Sequence, residues 1–417
     1  MSASYARVLR LPHARRTFAA ALTGRLSYGI VPLSVMLSVT RASGSYAVAG
    51  TVMALFGGTV VFLAPARAAL IDRHGPRRAL VPLLVAYTSS LALLTAAVWR
   101  PGAPAYLLGA LTALAGACVP PLGPTMRTVW GRLAPDRALL QRAYSLDAVA
   151  EELLFVTGPL LVGVLVGVAV PAAGIVVGAV LMVAGAVGFV SSPAVRDMAP
   201  AGGAGTSAHG KAGRPVLRRI ARPVTAALAV GVALGVLDLL VVVFAERHHH
   251  SGASVAWVLA ALSAGSAVGG LLNGAVDWRT PAPTRLALLT AGLGAALLGA
   301  ALAPGLGLLT LTMTIAGLFV SPAITTAYLI ADERVTDEAR TRAGAWVNTA
   351  INAGSTAGTA AAGVLAGRLP VAVCFALAGA AVVLVAPIAA KGARGKGALR
   401  AGTAAVEERE VSRPGPG

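Results

Sequence analysis

Twelve runs of mostly apolar residues dominate the sequence, and each is long enough to cross a membrane as an α-helix. The hydrocarbon core of a bilayer is about 30 Å thick, which an α-helix spans with about 20 residues. Hydrophobic residues make up 57% of the 417 positions and charged residues 12%, too few charges for a water-soluble surface. The runs, numbered as spans 1 to 12, are Thr17–Val39, Ala47–Leu70, Ala79–Val98, Pro104–Thr125, Tyr144–Val166, Val170–Val190, Val224–Ala245, Ser254–Val276, Leu286–Leu302, Leu306–Ile330, Gly344–Ala366 and Val371–Ala390.

Basic residues lie almost entirely on one side of these spans. The segments on the side of the two termini are rich in Arg and Lys, whereas the other side holds Arg41, Arg100, Arg247 and Arg368. Cytoplasmic loops of membrane proteins carry the excess of Lys and Arg. The pattern predicts a multi-pass protein of the cell inner (plasma) membrane with both termini cytoplasmic. Because the net charge of +18 is spread between spans, we expect the lipid bilayer and no nucleic acid as its partner.

A break in the hydropathy pattern separates six spans from six. Residues 191–223 are rich in Gly, Ala, Pro and Arg, a composition typical of a flexible cytoplasmic linker. We therefore predict an N-terminal six-helix bundle at 1–190, a C-terminal bundle at 224–390 and a disordered cytoplasmic tail at 391–417. The halves also repeat each other, since Gly158 and Gly163 of span 5 recur one constant shift later as Gly358 and Gly363 of span 11.

A charged motif joins spans 2 and 3, where residues 72–78 read Asp-Arg-His-Gly-Pro-Arg-Arg. The glycine permits a tight turn, and the aspartate can pair with Arg73 or Arg77 and accept amide hydrogen bonds from the N-terminus of a neighbouring helix. An acid flanked by arginines is more than membrane topology requires. We interpret Asp72, Arg73, Gly75, Arg77 and Arg78 as a conformational latch, with an ordinary basic loop as the alternative.

This motif resembles the cytoplasmic signature of the major facilitator superfamily, which has the form G-x-x-x-D-R-x-G-R-R, with Ala68 where the family has Gly. The resemblance covers the whole chain in helix number, topology and internal repeat. It implies an all-α membrane protein with twelve transmembrane helices in two six-helix bundles. The substrate site would lie between the bundles near mid-membrane and open alternately to each side. We expect a monomer without enzymatic activity, cofactor or metal.

Span 5 carries Gly158 followed by Pro159, and then Gly163. This resembles the antiporter signature of exporters in the superfamily, although Leu154 stands where an earlier glycine occurs. The proline bends the helix, and the two glycines let a neighbouring helix approach closely. The motif favours export, with plain small-residue packing as the alternative.

Ionisable residues inside the spans are costly unless they are paired or hydrated, and those predicted here are Arg25, Asp147, Glu151, Glu152 and Asp238. Arg25 in span 1 and the glutamates Glu151 and Glu152 in span 5 lie at depths in the membrane that agree to about one helical turn. An Arg25–Glu151 or an Arg25–Glu152 pair is therefore possible. Asp147 shares a helix face with Glu151. We expect one glutamate to pair with Arg25 and the other to carry a proton. A static salt bridge and direct contact with substrate are the alternatives.

Asp238 lies in span 7, and in the superfamily the first, fourth, seventh and tenth helices line the cavity. By that resemblance it binds a proton or a cation, with a structural role as the alternative. Exporters of the superfamily often carry an arginine in the fourth helix where this chain has Thr112. Aromatic, amide and hydroxyl side chains suit a substrate cavity, and the candidates are Tyr28, Thr112, Asn348, Asn352 and Trp346.

Together these features predict a secondary active transporter that exports a small molecule in exchange for protons. An uptake symporter or uniporter is one alternative, and a non-transporting membrane sensor or assembly partner is another. The sequence contains no phosphate-binding glycine loop and no catalytic constellation, so it predicts neither ATP hydrolysis nor an enzyme.

Overall fold

Helices form the whole regular structure of the computed structural model, which describes residues 5–99, 102–198, 213–249, 252–336 and 339–390. Within these ranges there is no β-strand. The helices are α1 (Tyr5–Leu9), α2 (Ala14–Ser43), α3 (Tyr46–Phe62), α4 (Ala64–His74), α5 (Pro76–Val98), α6 (Ala105–Cys118), α7 (Leu122–Leu133), α8 (Arg137–Val168), α9 (Ala172–Val190), α10 (Pro193–Arg196), α11 (Gly213–Arg247), α12 (Gly252–Ala275), α13 (Ala282–Ala300), α14 (Leu306–Glu333), α15 (Arg340–Ala366) and α16 (Val371–Ala390).

The predicted all-α membrane fold is confirmed. Among the described residues, 10 helical segments are long and apolar enough to cross a membrane, and α3 with α4 makes an eleventh, bent by 42°. The exception is α15, which covers predicted span 11. Its middle, residues 348–360, consists mainly of Ala, Gly, Ser, Thr and Asn, so the mean hydropathy of the helix is too low to identify it as a membrane span. The total of twelve spans stays a prediction.

Several helices continue beyond the predicted spans on the side of the termini. Span 4 was predicted to end at Thr125, but α7 continues to Leu133. Part of the predicted linker, 191–223, is helical, because it contains α10 and because α11 begins at Gly213 rather than at Val224. Hydropathy marks where the hydrocarbon ends, whereas a helix can continue as an amphipathic segment into the polar region. Residues 199–212 and the predicted tail, 391–417, lie outside the described residues.

Prolines break spans 2 and 4, which the sequence analysis treats as continuous helices. In span 2, α3 and α4 meet at Leu63, just before Pro65. In span 4, α6 and α7 are separated by Val119, Pro120 and Pro121. A proline has no amide hydrogen, so the carbonyl four residues earlier loses its helical partner. Each break therefore leaves polar backbone that other residues must satisfy.

The two halves of the chain meet along α8 and α15. Within the first half, α2 packs against α8 and α9, and α3 packs against α6. Within the second half, α11 packs against α15, α12 against α14, and α13 against α16. Between the halves, α8 packs against α12 and α14, and α15 packs against α4 and α7. Spans 5 and 11, which share the internal repeat, are thus the principal helices of the interface.

The two glycines of the predicted span 5 motif have different surroundings. A Cβ at Gly158 would lie 2.7 Å from the Cα of Gly29 in α2, so this glycine permits a close helix contact. A Cβ at Gly163 would meet no atom within 4 Å. The structure therefore contradicts the predicted packing role of Gly163 in this conformation, while Gly158 has that role.

We predict that Gly158→Ala destabilises the protein and Gly163→Ala does not. The added methyl at 158 overlaps the backbone of α2, which costs about 1–3 kcal/mol in a close-packed interior. The same change at 163 meets open space and raises helix propensity, so it should be neutral or stabilising by up to about 1 kcal/mol. Thermal unfolding of both variants in detergent tests this. Equal melting temperatures would show that the α2–α8 contact is looser than described.

Candidate functional site

The carbonyls left unpaired by the break in span 4 are bound by a buried arginine. Pro120 and Pro121 cannot donate to the oxygens of Gly116 and Ala117, four residues earlier. Nη1 of Arg67, in α4, donates to both oxygens, at 3.0 and 3.1 Å. The guanidinium thus replaces the two missing amide hydrogens.

The same guanidinium also binds backbone carbonyl oxygens just before the break in span 2. Its Nη2 donates to the oxygen of Val60 at 2.6 Å, and its Nη1 lies 3.3 Å from the oxygen of Thr59. Arg67 is 6% exposed and forms no ion pair with a carboxylate of the described residues. We interpret it as a structural bridge between two broken helices, held by backbone dipoles instead of a counter-ion.

Tyr28, a predicted substrate-cavity residue, has its hydroxyl at the same break. The hydroxyl donates to the oxygen of Pro120 and accepts the amide hydrogen of Leu122 at 3.1 Å. It therefore caps the start of α7 instead of facing the cavity described below. Together with Arg67 it fixes the direction in which α7 leaves the break.

The segment beyond the break brings a second arginine to the predicted intramembrane charges. Arg25 of α2 and Arg127 of α7 lie against two acids of α8, Asp147 and Glu151. Nη1 and Nη2 of Arg25 lie 2.7 Å from Asp147 and 3.0 Å from Glu151, respectively. Nε and Nη2 of Arg127 lie 3.2 Å from Asp147 and 2.6 Å from Glu151, respectively. We call these four residues the tetrad.

The tetrad has no net charge, and each member contacts two partners of opposite sign. Arg25 and Asp147 are almost fully buried, at 1% and 0% exposure, while Glu151 keeps 27% of its side chain exposed. Burying an unpaired charge at this depth costs several kcal/mol, so the pairing is what makes the arrangement possible. The guanidinium of Arg127 also stacks 3.9 Å from the ring centre of Tyr328 in the second half.

The structure brings Arg25 to Glu151 and not to Glu152. Glu152 instead accepts a hydrogen bond of 2.8 Å from the hydroxyl of Ser266, in α12. Asp147, which the sequence analysis placed on the face of Glu151, is bound to both arginines. Glu151 and Asp147 therefore occupy paired positions, whereas no basic residue of the described chain forms an ion pair with Glu152.

A cavity of about 410 Å³ lies beside the tetrad, between the two halves. Its walls come from α7 and α8 of the first half and from α11, α12, α14 and α15 of the second. The apolar lining consists mainly of Leu, Ile and Val. The charged and polar lining residues are Arg127, Glu151, Glu152, Asp238, Ser263, Ser266, Ser321, Tyr328, Asn348, Asn352 and Ser355.

Asp238 of α11 is exposed to this cavity and forms no ion pair among the described residues. Asn348 and Asn352 also line it, as predicted substrate-cavity residues. Thr112 does not line it, because its side chain is fully buried and donates to the oxygen of Leu108 at 2.7 Å. Trp346 is partly buried against the hydrophobic core and is not part of the cavity lining.

The acid of the predicted latch contacts the other half of the protein. Oδ2 of Asp72, at the end of α4, accepts the amide hydrogen of Arg342 at 3.0 Å, near the start of α15. The predicted partners Arg73 and Arg77 are exposed, as is Arg78. Gly75 has a φ of 82°, which favours glycine and allows the turn into α5.

A second contact of the same kind lies at the end of α12. Nη2 of Arg142, near the start of α8, binds Oδ1 of Asp277 at 2.9 Å. The repeat relates Arg142 to Arg342. Each half therefore supplies an acid just after its second span and an arginine near the start of the helix that contains its fifth span. The ends of these helices lie on the same side of the structure as α1, and we call this side the terminal face.

Further polar contacts join the halves at the terminal face. The hydroxyl of Tyr5, in α1, donates to the oxygen of Leu271 at 2.6 Å. Nη1 of Arg285, in α13, donates to Gln141 of α8 at 3.0 Å. Arg137 pairs with Glu333 at 2.8 Å, although both side chains are largely exposed. The halves are therefore closed against each other on this side of the cavity.

Comparison with known proteins identifies the family. A sequence model described as the Major Facilitator Superfamily matches residues 17–306 and, in a second match, residues 224–411. The chain belongs to the major facilitator superfamily. No curated protein matches it by sequence. Membership supports a membrane transporter of small molecules rather than an enzyme.

Solved structures of the same superfamily share the fold of this chain at low sequence identity. A bacterial homologue of the iron transporter ferroportin, in an outward-facing state, has a TM-score of 0.75 at 12% identity and covers 91% of this chain and 99% of its own. The human organic anion transporter MFSD10 (TETRAN) has a TM-score of 0.71 at 14% identity, with 90% and 99% covered. The E. coli fucose:proton symporter FucP has a TM-score of 0.65 at 16% identity and covers 90% of this chain and 99% of its own.

We predict that Arg127→Met strongly destabilises this superfamily member. The substitution leaves Asp147 and Glu151 with one arginine for two buried carboxylates, and breaking a buried pair costs about 3–5 kcal/mol. Arg137→Met is the matched control, because it removes an ion pair at the surface that contributes at most about 1 kcal/mol. Thermal unfolding in detergent measures both. If the two variants unfold at the same temperature, the tetrad is not a structural requirement.

Proposed function

We propose that this protein exports a small molecule across the cell inner membrane in exchange for protons, by alternating access. The observation that carries the proposal is the unequal pairing of the acids around the cavity. Glu151 and Asp147 are neutralised within the tetrad, whereas Glu152 and Asp238 line the cavity without a basic partner among the described residues. A carboxylate in this setting is stabilised by binding a proton or a cation.

In this mechanism Glu152 and Asp238 take up protons while the cavity faces the outside and release them to the cytoplasm. A protonated carboxyl crosses the conformational change at lower cost than a charged one, because it need not be carried through hydrocarbon as an ion. The tetrad stays neutral throughout and holds α2, α7 and α8 together. The protein works as a monomer. Both of its termini are cytoplasmic, in accord with the distribution of Arg and Lys.

The terminal face is then the cytoplasmic side, and the contacts across it favour an outward-facing conformation. Reorientation requires the Asp72–Arg342 and Asp277–Arg142 contacts to break together with the bonds of Tyr5 and Gln141. Gly158, packed on Gly29, and Pro159 lie in α8, one of the two principal helices of the interface. The direction of export is proposed from the resemblance of this motif to the antiporter signature.

We predict that inverted membrane vesicles with an acidic lumen accumulate the exported compound and that Glu152→Gln and Asp238→Asn abolish the dependence on the pH gradient. Untargeted mass spectrometry of vesicles offered a cell extract identifies the compound. Glu246→Gln is the control, because Glu246 is an exposed acid at the end of the same helix as Asp238. An uptake symporter would show the opposite direction of accumulation. A non-transporting sensor would show no accumulation that depends on the protein.

Protonation of the two acids can be followed directly by infrared difference spectroscopy on purified protein. The stretch of the protonated carboxyl should appear on acidification and lose intensity in Glu152→Gln and in Asp238→Asn. It should be unchanged in Glu246→Gln. Identical spectra for all variants would contradict proton coupling at these residues.

We also predict that Asp277→Asn opens the terminal face. The pair joins a buried guanidinium, 1% exposed, to a carboxylate that is 64% exposed, so it contributes about 1 kcal/mol, and its loss should raise the population of the open state about fivefold. The reporter is Ser145→Cys, at a fully buried position, in a Cys118→Ser, Cys374→Ser background. Its reaction rate with a soluble maleimide should rise by that factor.

The control for this experiment is Glu333→Gln, which removes the exposed pair with Arg137. Both side chains of this pair are exposed, whereas Arg142 is buried, so the control pair contributes only a few tenths of a kcal/mol and the rate should change less than in Asp277→Asn. Equal rates in the two variants would mean that the Arg142–Asp277 contact does not hold the halves closed.

A further inference from the structure

We propose that the cavity between the two halves binds an organic cation with an apolar body, whose ammonium group lies between Glu152 and Asp238. This names the substrate class of the transport site and therefore rests on the proposed function. One cavity combines unpaired negative charge, free hydrogen-bond acceptors and apolar walls.

The charges around the cavity leave an excess of negative charge. The ionisable groups that face it are Arg127, Glu151, Glu152, Asp238 and the phenol of Tyr328. Arg127 and Glu151 belong to the neutral tetrad, and the stacked ring of Tyr328 partners the guanidinium of Arg127. The two remaining acids have no basic partner in the described chain, so an anionic substrate would meet only repulsion from them.

The two acids come from different halves of the protein. Glu152 projects from α8 of the first half, and Asp238 from α11 of the second. One ammonium group between them would be shared by both halves and would replace the protons that the carboxylates otherwise bind. Competition of cation and proton for the same two groups is what obligatory exchange requires.

The remaining polar groups of the cavity include further acceptors for an ammonium group. Nδ2 of Asn352 donates to the oxygen of Asn348 at 2.8 Å, which leaves its Oδ1 as an acceptor. The hydroxyl of Ser321 is 1% exposed, lines the cavity and has no hydrogen-bond partner among the described residues. A buried hydroxyl without a partner costs free energy that a bound donor would recover.

The apolar walls and the set of donors favour an organic ion over a metal. Leu234, Leu262, Ile324 and Ile351 line the cavity, whose volume of about 410 Å³ accommodates a small organic molecule. Groups of three or more His, Cys, Asp or Glu able to hold a metal ion are absent from the residues that the structure describes. Two carboxylates among apolar side chains fit a cation that brings its own hydrocarbon surface.

Isothermal titration calorimetry of the purified full chain tests the charge preference. Three probes share one apolar body and differ in their end group: 4-phenylbutylamine, 4-phenylbutanol and 4-phenylbutyrate. We expect the amine to bind at least about tenfold more tightly than the alcohol, and the carboxylate to bind most weakly. Titrations in buffers of different ionisation enthalpy should show that the amine displaces protons.

Variants locate the binding site. Asp238→Asn and Glu152→Gln should each weaken amine binding by at least about tenfold and leave alcohol binding unchanged. Glu246→Gln, on the same helix as Asp238, should bind the amine like the unmodified chain. Asp238→Glu should restore much of the affinity that Asp238→Asn loses, and thermal unfolding checks that each variant is folded.

Three results would overturn the inference: no binding of any probe, equal or tighter binding of the alcohol or carboxylate, or amine binding unaffected by both acid variants. Infrared spectroscopy separates this failure from that of the proposed function. If Glu152 and Asp238 take up protons but the amine shows no preference, proton coupling stands and the substrate class is wrong. If neither acid takes up a proton, the proposed coupling fails whatever the amine does.

Discussion

The structure depends on one constraint: in hydrocarbon, every buried charge and every free backbone polar group must find its partner within the protein. Prolines break spans 2 and 4, and Arg67 replaces the amide hydrogens lost at the second break and binds the carbonyl of Val60 at the first. Tyr28 caps the new helix start at the second break. With its direction fixed in this way, α7 delivers Arg127 to the tetrad, so the pairing of the charges depends on how the backbone breaks are satisfied.

The same constraint separates structural from functional charges. The four charges of the tetrad satisfy one another and stabilise the contact of three helices. Glu152 and Asp238 are left with water, a hydroxyl or a ligand as partners. Of the sequence alternatives for the glutamates, the static salt bridge describes Glu151, and the proposed proton carrier is its neighbour. Two adjacent residues differ in this way because successive helical side chains point about 100° apart.

The all-α membrane fold could be predicted from the sequence because apolar length and basic loops report directly on the bilayer. The intramembrane acids were found for the same reason, since a carboxylate in an apolar run is conspicuous. Arg67 and Arg127 are absent from the predicted set, because they lie near the ends of predicted spans, where arginine is expected from topology alone. Their roles follow from helix breaks and extensions, which hydropathy does not report. Pro65 and the Pro120-Pro121 pair were the sequence signals available for these breaks.

The internal repeat brings equivalent positions of the two halves together at the cavity. Ala115, Gly116 and Pro121 of span 4 recur in span 10 as Ala316, Gly317 and Pro322. The same shift relates Arg127 to Tyr328, and these side chains stack on each other across the interface. The repeat of spans 5 and 11 relates Glu152 to Asn352, and both line the cavity. The fold therefore accepts a neutral amide at the position where the first half has an acid. Packing alone does not require the carboxylate of Glu152, and its retention in an apolar setting is better explained by an ion that comes and goes.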